Sequence, residues 1–298
     1  MPSTMTFRYD TSGRWYKGNT HIHTTASDGG KTRAEVAALY AGAGYSFLFA
    51  TDHWCASDAA SEPDPAPLLW LDGVELDGCD EAGRYFHIAC LGKTGGITGE
   101  LGFSRAVERA QAQGALVVLA HPFWTGNTPD DAVRFAFQGV EIYNHVCQWL
   151  NGKGDSRVFW SEMLRRNRNT LAFAADDAHL SPEHPGWDGG WIVVNAPALS
   201  TGTITEAIRR GNFYSSCGPE FHRIEYDGAQ VGFATSPIRF VRLVGPGSEG
   251  KRLGSFGGEE ISEAMFNVPS DWDYAYLEIE DACGRRAWTN TLFAPSAA

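Results

Sequence analysis

The chain has 298 residues, 43% of them hydrophobic and 20% charged, and a formal net charge of −12. That length suits one large domain, or one large and one small, and the acidic balance offers no basic footprint for a nucleic-acid backbone. No stretch is apolar for long enough to span a bilayer, Met1 to Tyr9 holds no h-region of a secretory signal, and the six cysteines include no Cys-x-x-Cys pair, so reduced thiols in a cytoplasmic protein are the expectation.

Taken in chain order, short apolar runs predict strands over Asn19 to His23, Tyr45 to Thr51, Leu69 to Leu76, Tyr85 to Leu91, Ala115 to Ala120, Gly139 to Tyr143 and Leu171 to Ala175. Between and after them, helical spacing predicts helices over Thr32 to Ala43, Phe103 to Gln113, Pro129 to Phe137, Asp155 to Asn167 and Ile204 to Arg210, several stopped by glycine. The alternation argues for an α/β domain with mainly parallel strands. The pattern changes near Gly218-Pro219. Beyond it come short alternating strands, Arg223 to Tyr226, Ile238 to Val244, Tyr274 to Glu280 and Trp288 to Phe293, with a turn near Glu259 to Phe266. Residues 1–220 are thus read as the main domain and 221–298 as a small antiparallel β-domain, of a size that calls for docking on its larger neighbour.

Chemistry gathers at the strand ends. His21 and His23 are one residue apart, a spacing that projects both imidazoles from one face of an extended segment. Asp28 follows in the next loop. Later strands deliver His53, Glu75, His87, His121 and the second one-residue pair, Asp177 and His179. Six of the nine histidines fall in this set, and imidazole with carboxylate is the donor chemistry of divalent transition metals. In parallel α/β folds the C-terminal ends of strands are where sites are built. A single His-x-His carries little weight; the ordered set carries much more.

His21-Ile22-His23, Ser27-Asp28-Gly29, Thr51-Asp52-His53, Glu75, His87, His121 and Asp177-Ala178-His179 resemble, in order over residues 15 to 180, the motifs of the PHP (polymerase and histidinol-phosphatase) domain. The resemblance implies a distorted (β/α)7 TIM-like barrel holding two or three divalent ions (Mn, Zn or Fe). It implies a first metal at His21, His23, Glu75 and Asp177, a second bridged by Glu75 with His87 and His121, and a third at Asp28, His53 and His179. Some members of the family carry histidine where this chain has Asp28. Two tail segments, Gly211 to Pro219 and Gly284 to Asn290, resemble a carbaryl-hydrolase-like branch of that family.

Other residues are weighed beside these. His145 follows a strand end and is a candidate to bind substrate or protonate a leaving group, with Glu141 and Asn144 as rim candidates. Asp52 and Asp176 either orient a ligand imidazole or serve structure. Trp54, Trp124, Trp187 and Trp191 either wall a pocket or pack the core, and Lys31, Arg33, Arg84 and Lys93 are the nearest cations for a phosphate. His184 and His222 read as structural or surface groups. The expectation is a metal-dependent hydrolase, foremost a phosphoesterase (EC 3.1) acting on a small anionic mono- or diester through a metal-activated hydroxide with Glu75 as bridge. The alternatives are a carboxyl ester, amide or carbamate hydrolase using the same centre, and a non-catalytic scaffold.

Overall fold

The computed structural model describes residues 5–57 and 68–295, so the first four residues of the Met1 to Tyr9 segment lie outside it. Runs such as Phe47–Phe49 and Leu116–Leu119 are buried at every position, as strands covered on both faces must be. Five strands form one sheet in the order Gly73–Cys79, Tyr85–Leu91, Leu116–Leu119, Gly139–Asn144, Leu171–Ala175. Nine form another: Gly250–Leu253, Phe240–Val244, Tyr276–Glu280, Arg286–Thr289, Phe213–Ser216, Trp191–Ala196, Arg14–Asn19, Phe47–Phe49 and Leu69–Leu71. A three-stranded sheet (Phe221–Tyr226, Gln230–Ile238, Ile261–Asn267) and the pair Met5–Phe7 with Phe293–Pro295 complete the set. The architecture is mixed α/β, and none of these sheets closes on itself among the described residues. No helix there is long and apolar enough to cross a membrane.

Several expectations are corrected. The first strand is Arg14–Asn19, so His21 and His23 lie just past it. Gly18 lets the Phe47 ring lie against this strand, for a Cβ there would stand 2.2 Å from Cζ of Phe47. The run Leu69 to Leu76 is two strands split at Asp72. Tyr85–Leu91 is antiparallel to both neighbours, because the hairpin turn at Asp80 to Arg84 returns the chain at once. Its site-facing end is therefore its N-terminal end, and His87 sits near its start. Pro129 to Phe137 yields only the short turn of helix Asp131–Val133, and the segment near Glu259 to Phe266 is the strand Ile261–Asn267. Trp191–Ala196 and Phe213–Ser216, unforeseen as strands, pair with each other and with Arg14–Asn19 and Arg286–Thr289.

Helix Arg33–Gly42 starts at a full capping box, Thr32 with Glu35, and buries Val36, Ala37 and Tyr40. Pairing continues across residue 220, and so does the core: Ile22, Tyr40 and Leu48 share one cluster with Phe221, Phe233 and Leu277. Arg8 ties the two ends of the chain, donating to the carbonyls of Thr291 and Arg210 at 2.9 and 2.8 Å.

Candidate metal centre

The two one-residue pairs meet because backbone bonds lay their segments side by side. His23 N donates to the Ala178 carbonyl at 2.9 Å and Asp177 N to the His21 carbonyl at 3.0 Å, with Ile22 and Ala178 forming a lone parallel bridge. Ile22 turns inward, fully buried, so His21 and His23 turn together to the other side. A second lone bridge joins His53 to Glu75. Asp177 and His121 hold positive φ, +58° and +28°, the local strain that clusters where a site over-determines the backbone.

All nine sequence candidates for metal binding converge. Donor atoms of His21, His23, Glu75 and Asp177 lie within 4.8 Å of one another, as do those of Glu75, His87 and His121 and those of His23, Asp28, His53 and His179. Glu75 is common to two groups. Its Oε1 lies 2.7 Å from His87 Nδ1 and 3.6 Å from His121 Nε2, and its Oε2 lies 3.1, 3.3 and 3.3 Å from Nε2 of His21, His23 and His53. Asp177 Oδ1 is 3.2 Å from His21 Nε2 and 3.1 Å from His23 Nε2. On the exposed side Asp28 Oδ2 is 3.2 Å from His179 Nε2 and 3.9 Å from His53 Nε2.

Do these residues fit a cation? Glu75 Oε2 and His21 Nε2 are buried and have no hydrogen-bond partner despite their proximity. Buried polar atoms are nearly always paired, and these two aim at a shared space instead. Their separations also match the edge of about 3.4 Å of a tetrahedron whose bonds are about 2.1 Å, as around a zinc-like ion. The donor set fits.

Charge in the cluster is mutually compensated. Burial alone would lower the His23 pKa, yet the hydrogen bond to Asp177 and the adjacent Asp177 and Glu75 charges raise it to about 9. His21 is likewise raised well above its ordinary value: burial opposes this, and the charges of Asp177, Glu75 and Glu141 outweigh it. Burial works against the Glu75 and Asp177 charges, but the imidazoles hold both carboxyls well below the usual range. His179 does the same for the half-exposed Asp28.

An outer layer orients the donors. Glu141 accepts from His21 Nδ1 at 2.7 Å, from His121 N at 3.0 Å and from Asn144 Nδ2 at 2.9 Å, the carboxylate–histidine arrangement that fixes ring orientation in metal sites. Asn144 also reaches Asp177 Oδ2 at 3.3 Å. Asp77 Oδ1 stands 2.9 Å from His53 Nδ1, and the Tyr85 hydroxyl 2.8 Å from His87 Nε2. Asp52 and Asp176 serve structure. Asp52 pins Thr24 and Ser27 of the Asp28 loop. Asp176 accepts from Asn19, Tyr40 and the backbone of Asp188, Gly189 and Gly190 at 2.8–3.0 Å.

Asp77 and Tyr85 were not singled out by sequence reasoning. The signal was present: each lies two residues from a donor, Glu75 or His87, on the same face of its strand.

A cavity of about 540 Å³ opens over the donors, lined also by Tyr85, Trp124, Leu150 and His184. His145 is not brought to it. That ring packs beside Tyr143 and occupies the place a Cβ on Gly189 would take. His184, read as structural or surface, lies at the wall with its ring centre 5.5 Å from that of His179. Of the four tryptophans only Trp124 lines the cavity; Trp54 donates to the Asp77 carbonyl, Trp187 packs on Tyr40, and Lys17 lies over Trp191. Lys31, Arg33, Arg84 and Lys93 are absent from the lining.

No protein-family model and no curated protein matches the chain. Among solved structures it is similar to a two-domain protein from Bacteroides vulgatus containing a predicted PHP-like metal-dependent phosphoesterase. The identity is 11%, the TM-score 0.55, and the match covers 98% of this chain and 99% of that one. Weaker likenesses are to a candidate metal-dependent phosphoesterase from Bifidobacterium adolescentis (14% identity, TM-score 0.41, 65% and 96% covered) and an amidohydrolase from Chromobacterium violaceum solved with sulfate and no metal (15%, 0.43, 66% and 96%). At such identities the first likeness speaks to fold: the chain shares its overall fold, end to end, with the two-domain Bacteroides protein.

Proposed function

We propose that this protein is a metal-dependent hydrolase that cleaves phosphate mono- or diesters of a small molecule, with two or three divalent ions (Mn, Zn or Fe) at the cluster. Glu75 carries the reading: one buried carboxylate serves two donor groups, and its Oε2 faces three imidazole nitrogens with no hydrogen bond made. His21, His23, Glu75 and Asp177 would hold one ion, Glu75, His87 and His121 another, and Asp28, His53 and His179 a third. Ions bound there lower the pKa of water and offset charge developing on the attacked group. The chain itself does the rest. Glu141 and Asn144 hold His21, His121 and Asp177 in register, the burial of His21, His23 and Glu75 keeps bulk water from the shared donors, and the imidazole of His184, on the cavity wall, would give a proton to the departing alkoxide.

The description of the Bacteroides protein agrees with this reading. We read the strands from Arg14 to Ala175, with Leu69–Leu71 and Gly73–Cys79 taken together as one broken strand, as a distorted (β/α)7 barrel, a reading supported by the lone bridges Ile22–Ala178 and His53–Glu75. The division near residue 220 separates the donor-bearing part from a β-rich part that adds strands to it.

A second reading, hydrolysis of a carboxyl ester, amide or carbamate, is favoured by one observation: no Lys or Arg lines the cavity among the described residues. Metal analysis with a substrate panel decides between them. Metal-dependent release of phosphate or p-nitrophenol from phosphoesters is expected, and His23→Ala or Asp177→Ala lowers it by about 100-fold or more while the melting transition persists. Turnover of carboxyl or carbamate esters with phosphoesters untouched moves the assignment to the second reading. No tightly bound metal and no hydrolysis of either class leaves a scaffold.

A further inference from the structure

The donor cluster fixes what happens at one bond, and the wall around it bears on the rest of the molecule. Trp124 stands edge-on to two of the donor imidazoles, its ring centre 5.3 Å from that of His121 and 5.7 Å from that of His87. Val146 and Cys147 floor the cavity beside it, and Leu150 and Tyr85 form its rim. The bond from the Tyr85 hydroxyl to His87 holds that ring in place. Large apolar side chains on this wall are left in water: Tyr85 is 43% exposed and Leu150 41%. Apolar side chains gathered on the wall of one cavity, as Tyr85, Trp124, Val146 and Leu150 are, mark a binding surface, whereas single exposed apolar residues do not.

Charge narrows the ligand further. Among the described residues the charged side chains on the wall, histidines aside, are the carboxylates Asp28, Glu75, Asp77 and Asp177. Lys153, whose amine lies 6.0 Å from the centre of the Phe123 ring, is outside the lining. The cluster can receive one anionic or polarisable head. A second anion further along would meet carboxylates and no cation.

We propose that the substrate joins one hydrolysable head to a neutral apolar body, aryl or branched alkyl, seated against Tyr85, Trp124 and Leu150, and that a second anionic group in that body is rejected. This rests on the hydrolase reading above and names the substrate class of the same centre.

Equilibrium binding to the metal-loaded full chain tests it without turnover. Titration calorimetry compares two heads, phosphonate and carboxylate, each bearing a methyl, benzyl or 4-carboxybenzyl tail. Benzyl is expected to bind about tenfold tighter than methyl, a factor that burial of a few apolar carbons supplies, and the 4-carboxyl group to remove that gain. Trp124→Ala and Leu150→Asn each bring the benzyl-over-methyl ratio, read within the same variant, most of the way to one. Should Trp124→Ala not fold, Trp124→Phe and Leu150→Asn carry the comparison. Equal binding of methyl and benzyl, or tighter binding of 4-carboxybenzyl, overturns the proposal. Phosphonates that bind no better than carboxylates count against the phosphoester reading alone, since the tail preference is then read in the carboxylate series. No binding of either series overturns both.

Discussion

Glu141 shows how much a side chain outside the donor set can control. It touches His21, the backbone of His121 and Asn144 with two oxygens, and is 1% exposed. Glu141→Gln keeps the shape but loses the charge and one acceptor, so divalent-ion affinity should fall about 10- to 100-fold with little change in melting, as metal-competition titration would measure. His23 makes a pH prediction for the metal-free protein. Its folded pKa, about 9, exceeds the ordinary 6.5, so its ion-pair stabilisation is complete below pH 6.5 and is lost as pH rises through 9. Glu75 and Asp177 are shifted down, so their share is present at neutral pH and lost only on acidification. The melting temperature of chelator-treated protein should therefore fall from pH 6.5 to 9, and added divalent cation should remove the fall by taking the place of the protons. A flat profile without metal would contradict the geometry described.

Among the elements, Arg33–Gly42 follows a loop that carries Asp28 and is held by a capping box at Thr32. Thr32→Ala leaves the helix N-terminus without that acceptor and should cost about 1 kcal/mol in urea unfolding, with metal affinity unaltered because Asp52, not Thr32, holds the Asp28 loop. Element type was largely legible in the sequence where apolar runs were continuous: Tyr85–Leu91 and Leu171–Ala175 have the bounds the pattern predicts. Direction was not legible. An apolar run reads the same either way along a strand, so the expectation of mainly parallel strands carries no information on Tyr85–Leu91, whose direction its hairpin sets. Trp191–Ala196 carries the same signal as Leu171–Ala175, a continuous apolar run from Trp191 to Val194, and was legible in the same way.

For the whole molecule, the chain beyond residue 220 is not loosely attached. Arg286–Thr289 pairs with Phe213–Ser216, Arg157 bridges Asp155 and Glu278 at 2.7 and 2.8 Å, and one apolar cluster spans both parts. Calorimetry should therefore show one cooperative unfolding transition, and a chain ending at residue 220 should lose its folded baseline at ambient temperature. Two separate transitions would mean the shared core contributes little.

The sequence by itself singled out the nine donor side chains that the fold brings together. One-residue spacing of His21 and His23, and of Asp177 and His179, is a local property of extended chain, and imidazole and carboxylate have the same donor character wherever they stand. Tertiary structure alone decided which donors share a space, that Glu141 rather than His145 turns toward them, and that aromatic and aliphatic groups rather than cations surround the opening. Those outcomes depend on contacts between segments more than a hundred residues apart, such as His21 with Glu141, and no local pattern in the chain encodes such a contact.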